Sequence, residues 1–248
     1  MTRNVMKDGE LRSATSLVAR LGPHPATAVG LDLDADSADR DLWRWLVLAI
    51  LLGGRTSESA ARDAYVALEK KEMLDAAPLE SAGAGVVHAC LEDAGLAKSE
   101  GTAAVLVRVA SNLGKRHDGS IERLAEQADG LEELAHHLSR LGAGFGRSAI
   151  FRFLLPLRGR WSAAGDLPAT EATRAAGVHV GIVSEMQDAE GTPAALAHWL
   201  AGNESHVDAV PLRDLEAALD RLGRRSCLRE RSDRCPLEAA CPLRERSP

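Results

Sequence analysis

The chain predicts an all-α fold, and three observations carry that expectation. Its composition is 45% hydrophobic but only 3% aromatic, so the core must rest on alanine, leucine and valine, and alanine and leucine are strong helix formers. Runs of Thr, Ile or Tyr of the kind that build strands are few. Apolar positions recur at helical spacing, most cleanly at Leu106, Val109, Ala110 and Leu113, an i, i+3, i+4, i+7 stripe. A chain of 248 residues holds one large or two modest domains with a real core.

Taken in order, the sequence predicts a first amphipathic helix over Glu10–Leu21, with Leu11, Leu17, Val18 and Leu21 on its buried side. Gly22-Pro23 and Pro25 open a linker over 23–41 that ends in Asp32, Asp34, Asp36 and Asp39. That acidic run lacks the glycine and the twelfth-position acid of a calcium loop, which fall at Ser37 and Trp43. It reads as a solvated face and a helix start. Trp43–Leu52 is apolar on nearly all sides, hence a central helix, stopped by Gly53-Gly54. Thr56 or Ser57 can cap the next helix, Ser59–Lys71. Helices over Val86–Ala94, Thr102–Leu113, Ile121–Ala128 and Leu131–Leu141 follow, and Cys90 reads as a buried apolar residue. His136 and His137 are adjacent, so their side chains point apart and do not suggest a shared metal. Two further helices are expected over Pro193–Ala201 and Pro211–Leu222.

The stretch from Leu134 to Trp161 organises the rest. Leu134, Leu138 and Leu141 keep helical spacing, Gly142-Ala143-Gly144-Phe145-Gly146 breaks it, and Ile150, Phe151, Leu154 and Leu155 restart it. Glycines without Cβ atoms expose backbone amides, here at the N-terminus of the following helix, where the dipole favours an anion. Between Arg140 and Trp161 stand five arginines, Arg140, Arg147, Arg152, Arg158 and Arg160, and no acid. In a chain of formal net charge −6, that local reversal points to a ligand of repeated negative charge, and a nucleic-acid backbone is the simplest. A dinucleotide loop would follow a strand rather than a helix. A plain glycine-capped turn between two core helices remains the alternative.

Gly144-Phe145-Gly146-Arg147-Ser148 resembles the hairpin of the helix-hairpin-helix DNA glycosylases of the endonuclease III superfamily, and the resemblance runs from about Trp43 to Pro242. It implies a two-lobed fold: a helical barrel domain, 42–158, carrying the hairpin, and a second helical domain, 1–41 with 159–248, closed by an iron–sulfur-type cysteine loop. It implies duplex DNA as partner, held by Gly144, Phe145, Gly146, Arg147, Ser148 and Arg152. Arg55 stands where the family usually has a glutamine that fills the gap left by a flipped-out base, and an arginine can stack there. A plain helix cap is the other reading of the Arg55 turn.

The cysteine tail resembles the family's four-cysteine loop with one ligand missing. Cys227 follows Gly-Arg-Arg-Ser, Cys235 and Cys241 keep the last spacing, and Ser232 stands where the second ligand would be. A [4Fe-4S] cluster normally takes four thiolates. The first expectation is a cluster on Cys227, Cys235 and Cys241 with an oxygen ligand from Ser232, Asp233 or water. Vestigial cysteines come second, and zinc, which accepts three Cys plus one other ligand, third. Residues 221–248 also hold eight arginines against four acids, a second basic patch.

The chemistry implied by the family departs at two positions. Ser148 replaces the lysine that forms a Schiff base, as in the monofunctional adenine-mismatch branch, so lyase activity is not expected. Ala169 falls at the aspartate that assists glycosidic cleavage, and losing such a group costs on the order of 10²–10⁴ in rate. Asp166 and Glu171 are the substitutes near enough in sequence, although Glu171 is also a natural first-turn helix acid. The expectation is therefore a base-excision-repair type DNA-binding protein that recognises damaged or distorted duplex with weak or no lyase activity. The alternative is a monofunctional glycosylase with a relocated carboxylate. No secretory signal is evident, and the longest apolar run, Trp45–Leu52, is too short to span a bilayer. A cytoplasmic monomer without membrane contact is expected.

Overall fold

The computed structural model describes residues 13–34, 38–53, 56–203, 210–229, 231 and 235–237. Every regular element among them is helical. In chain order these are α1 (Ala14–Leu21), α2 (Pro25–Ala28), α3 (Asp39–Leu51), α4 (Glu58–Lys70), α5 (Ala76–Asp93), α6 (Ser99–His117), α7 (Ile121–Glu126), α8 (Leu131–Ser139), α9 (Arg147–Leu154), α10 (Glu171–His179), α11 (Thr192–Asn203) and α12 (Leu212–Arg225). Short 3-10 turns cover Leu155–Leu157, Ser162–Ala164 and Cys227–Arg229. The fold class is all-α. No described helix is long and apolar enough to cross a membrane.

The chain divides into two compact units, Val29–Leu167 and a discontinuous one of Met1–Ala28 with Pro168–Pro248. The boundaries thus lie at 28/29 and 167/168 rather than 41/42 and 158/159. The physical reason is a polar knot that holds residues 29–41 and 159–167 to the first unit. Arg160 bonds Glu122 through Nε and Nη2 at 3.2 and 3.0 Å, and its Nη1 donates to the Asp34 carbonyl at 2.6 Å. Trp161 Nε1 reaches the other oxygen of Glu122 at 3.1 Å, and its ring packs on Phe153 at 5.9 Å. Arg158 Nε donates to the Leu167 carbonyl at 2.7 Å.

In the Val29–Leu167 unit, α3 is the central helix that its composition predicts. Nine of its residues, Leu42, Trp43, Trp45–Leu51, are buried, and α4, α6, α7 and α9 pack against it. Fully burying a side chain of this size contributes roughly 1.5–3 kcal/mol. Its two indoles are also satisfied: Trp43 Nε1 donates to the Leu74 carbonyl at 2.6 Å and Trp45 Nε1 to the Phe153 carbonyl at 2.9 Å. α3 begins earlier than Trp43 because Asp39 and Asp41 supply the first-turn acids that the dipole favours. Asp39 Oδ1 also accepts from the Glu122 amide at 2.7 Å, which fixes the start of α7. Ser57 caps α4 by accepting from the Ala60 amide.

α5 is longer than the periodicity predicts because two helical segments meet at Gly83, whose φ of +74° suits glycine. It packs along α6 more extensively than any other pair, and the stripe Leu106, Val109, Ala110 and Leu113 is buried as its spacing requires. Cys90 is buried, and desolvation pushes its thiol pKa up.

In the discontinuous unit, α1, α10 and the turn at Cys227 pack on α12. α10 and α12 come into backbone contact at Gly223, where a Cβ would lie 2.0 Å from the Ala172 carbonyl oxygen. Asp214 is a buried carboxylate; it accepts from the His24 amide at 3.0 Å and from Thr27 Oγ1 at 2.7 Å. The segment expected as a bare linker therefore contains α2, with Pro25 at its first position. Leu11 lies outside the described residues, and Val18 is partly rather than fully buried.

Candidate nucleic-acid interface

The loop between α8 and α9 is a tight turn closed by the Phe145 amide on the Gly142 carbonyl at 3.0 Å. Gly144, at the third turn position, has φ +101°, a conformation L-residues rarely adopt. Gly142 is buried because the loop is pressed on α6, and a Cβ there would stand 2.9 Å from Val109 Cγ2. Gly144 and Gly146 are exposed. Nothing lies within 4 Å of a Cβ built on Gly146.

Gly146 is the N-cap of α9, and its carbonyl accepts from Ala149 and Ile150 at 2.9 and 3.1 Å. The amides of Gly146, Arg147 and Ser148 have no acceptor among the described residues. α9 thus presents open N–H donors to solvent at the positive end of its dipole, an arrangement that suits an anion. Phe145 is only 3% exposed; its ring anchors the turn in the core, and the solvent-facing groups are those on either side of it.

The five arginines divide. Arg140 and Arg147 are exposed, and their guanidinium groups have no carboxylate or other partner among the described residues. Arg152 is half-buried and its Nη1 donates to the Leu52 carbonyl at 2.8 Å, across the end of α3. Arg158 and Arg160 belong to the polar knot described above. A row of same-sign residues in the sequence therefore becomes two solvent-facing charges and three that tie carbonyls and acids of the fold. Arg55 lies outside the described residues.

A set of residues that the sequence reading missed supports the turn from behind. Arg108 Nη1 donates to the Ala143 carbonyl at 3.4 Å, Asn112 Nδ2 to Leu141 at 2.8 Å, and Arg116 Nη1 to Arg140 at 3.3 Å. These carbonyls, at and beyond the end of α8, have no intrahelical donor. The signal was available: 108, 112 and 116 are one i, i+4, i+8 polar stripe on α6.

Of the candidate catalytic positions, Ser148 and Asp166 belong to the unit that carries this turn, and Ala169 and Glu171 to the other. Ser148 is exposed, and its hydroxyl has no hydrogen-bond partner among the described residues. Asp166 is exposed without an ionic partner among the described residues. In the other unit, Ala169 is 5% exposed and its amide donates to the Ala189 carbonyl at 2.9 Å. Glu171 is a first-turn acid of α10, capped by Thr170, and its Oε1 pairs with Arg174 Nη2 at 3.1 Å. The carboxylate nearest Thr170 is Asp220, which accepts from Thr170 Oγ1 at 2.6 Å and pairs with Arg224 Nε, also at 2.6 Å.

Cys227 and Cys235 are both buried in the hydrophobic cluster of the discontinuous unit, beside residues of α1, α10 and α12. Two sheltered sulfurs in one buried cluster suit a soft, thiolate-bound metal by donor chemistry, while the three cysteines of the tail fall one short of the four of a fully cysteine-ligated cubane. Cys241, Ser232 and Asp233 lie outside the described residues. No group of three or more His, Cys, Asp or Glu among the described residues is arranged to hold a metal. His137 lies 6.3 Å from His117 and 6.4 Å from His136, ring to ring, and burial holds His117 below its ordinary pKa.

Compared with known proteins, the chain matches no protein-family model, and no curated protein matches it.

Proposed function

We propose that this chain binds duplex DNA in the manner of the helix-hairpin-helix glycosylases, with the α8–α9 turn gripping a phosphate of one strand. The observation that carries the reading is the pairing of amides at Gly146, Arg147 and Ser148 with guanidinium groups at Arg140 and Arg147, none of which has a partner among the described residues. Amides fix register on a phosphate, and the free positive charges supply the salt-dependent part of affinity. Damaged or mismatched duplex is the natural target, because extruding a nucleotide costs a few kcal/mol and least at such sites. Cys227, Cys235 and Cys241 hold an iron–sulfur cluster in this reading, with vestigial cysteines and then zinc as the alternatives.

The test is binding of a labelled duplex across a salt series. The wild-type chain retains duplex with affinity that falls as salt rises, and the double variant Gly144→Glu/Gly146→Glu loses it. Salt-insensitive or absent binding in dilute buffer removes the proposal.

A glycosylase with a relocated carboxylate is the second reading, and the specific observation in its favour is the carboxylate of Asp166, which is exposed and has no ionic partner among the described residues. Against it stand the buried alanine at 169 and the engagement of Glu171 by Arg174. A panel of damaged-base duplexes, followed by alkali, separates the two. Base release abolished by Asp166→Asn or Glu171→Gln establishes the enzyme, and an inert panel leaves the binder.

A further inference from the structure

The polar stripe on α6 contains more charge than its structural role needs. Arg108, Asn112 and Arg116 each hold one carbonyl of the α8–α9 turn, and Asn112 does so with a neutral amide at the shortest distance of the three. A guanidinium has five N–H donors, and the described structure engages Nη1 of each arginine on a single acceptor. Both arginines are exposed, and neither has a carboxylate partner among the described residues. The carbonyl bond restrains each side chain, so presenting its remaining donors loses less rotamer freedom than an unrestrained surface arginine would.

We propose that Arg108 and Arg116 are phosphate-contacting residues, each serving a separate phosphate of the duplex. The inference rests on the duplex-binding reading and extends its surface from the turn along α6. Eight residues of helix separate the two arginines by roughly 12 Å, too far for one phosphate to bridge. Arg140 and Arg147, on the turn that the stripe supports, give the same face further positive charge. One stripe therefore does two things: it fixes the turn whose amides take one phosphate, and it supplies charges for the neighbouring ones.

The experiment measures duplex affinity against salt concentration for the full chain and for Arg108→Gln, Arg116→Gln, the double variant, Arg108→Lys/Arg116→Lys and Asn112→Ala. Each phosphate contact contributes about 0.9 to the slope of log affinity on log salt. The slope is expected to fall by about 0.9 in each glutamine variant and by about 1.8 in the double. The lysine pair keeps the wild-type slope, because charge rather than fork geometry sets it. Asn112→Ala loosens the same turn without removing charge, so it lowers affinity and leaves the slope unchanged. Wild-type slopes in both glutamine variants overturn the inference and leave the turn-binding reading intact. Failure of the wild-type chain to bind duplex at low salt instead overturns the reading on which it rests.

Discussion

The indole N–H of Trp45 donates to the carbonyl of Phe153 across 2.9 Å of fully buried interior. That bond joins the central helix α3 to α9, the helix that follows the turn, and so sets where the open amides sit. Trp45→Phe leaves that carbonyl without its indole donor and opens a cavity where the larger ring stood. The expected loss is on the order of 2–4 kcal/mol, read as a lowered urea midpoint. A variant as stable as the wild type would show that α9 is held by other contacts.

The three glycines of the turn should respond differently to alanine. Gly142→Ala drives a methyl into Val109 and should destabilise by about 1–3 kcal/mol. Gly144→Ala adds backbone strain at φ +101° to a 2.7 Å approach to Val105 Cγ2 and should also lower the melting temperature. Gly146→Ala meets open space at φ −81°, so its stability should stay within about 0.5 kcal/mol of wild type. Its duplex affinity should nonetheless fall, because the methyl stands where a strand must approach. Thermal melts and duplex titrations of the three variants check this ordering.

Acid should weaken the discontinuous unit through His24. Its Nδ1 accepts from the Ala26 amide at 3.2 Å, and burial, then Arg213 and Arg221, push its pKa down from 6.5 to about 3. Between those two values the unfolded chain carries a proton that the folded chain excludes. Stability from this group is therefore complete above pH 6.5 and declines as pH falls towards 3, by at most about 1.4 kcal/mol per pH unit. His24→Asn, which keeps an acceptor for Ala26 but does not titrate, should flatten that part of the profile. Urea midpoints for both proteins between pH 7 and 4 give the difference directly.

The cysteine tail yields a compositional prediction. Protein purified anaerobically should contain iron and acid-labile sulfide and absorb near-visible light, and Cys235→Ser should lose most of the iron. Zinc without sulfide would establish the tetrahedral alternative. Colourless, metal-free protein that melts at the same temperature after chelation would mean the sulfurs are simply core residues, a role their burial already permits.

Much of the helical framework was legible because the burial signal is periodic. The α6 stripe at Leu106, Val109, Ala110 and Leu113 and the all-round apolar α3 needed no tertiary information. The first half of α5 was hidden because Ser81, Ala82, Gly83, Ala84 and Gly85 offer no apolar stripe and carry a kink. α2 is hidden because Pro25 in sequence reads as a linker signal, whereas in the fold it opens a helix. The exposed glycines of the turn were expected from composition. The fate of the arginines was not, since nothing in the sequence shows that Arg152, Arg158 and Arg160 face the carbonyls of Leu52, Leu167 and Asp34. A charge count treats a surface cation and a carbonyl clamp alike; only the fold separates them.

The two units also differ in when they can be completed during synthesis. Residues 29–167 form a continuous stretch and can pack as soon as they leave the ribosome, whereas α1 must wait for α12, about 190 residues later, before its apolar side is covered. At 5–20 residues per second that interval lasts on the order of tens of seconds, during which Leu17 and Leu21 lack the α12 residues Leu215, Ala218, Leu219 and Leu222 of their cluster. A nascent chain stalled before residue 212 should therefore carry a protease-resistant middle and a digestible leading helix.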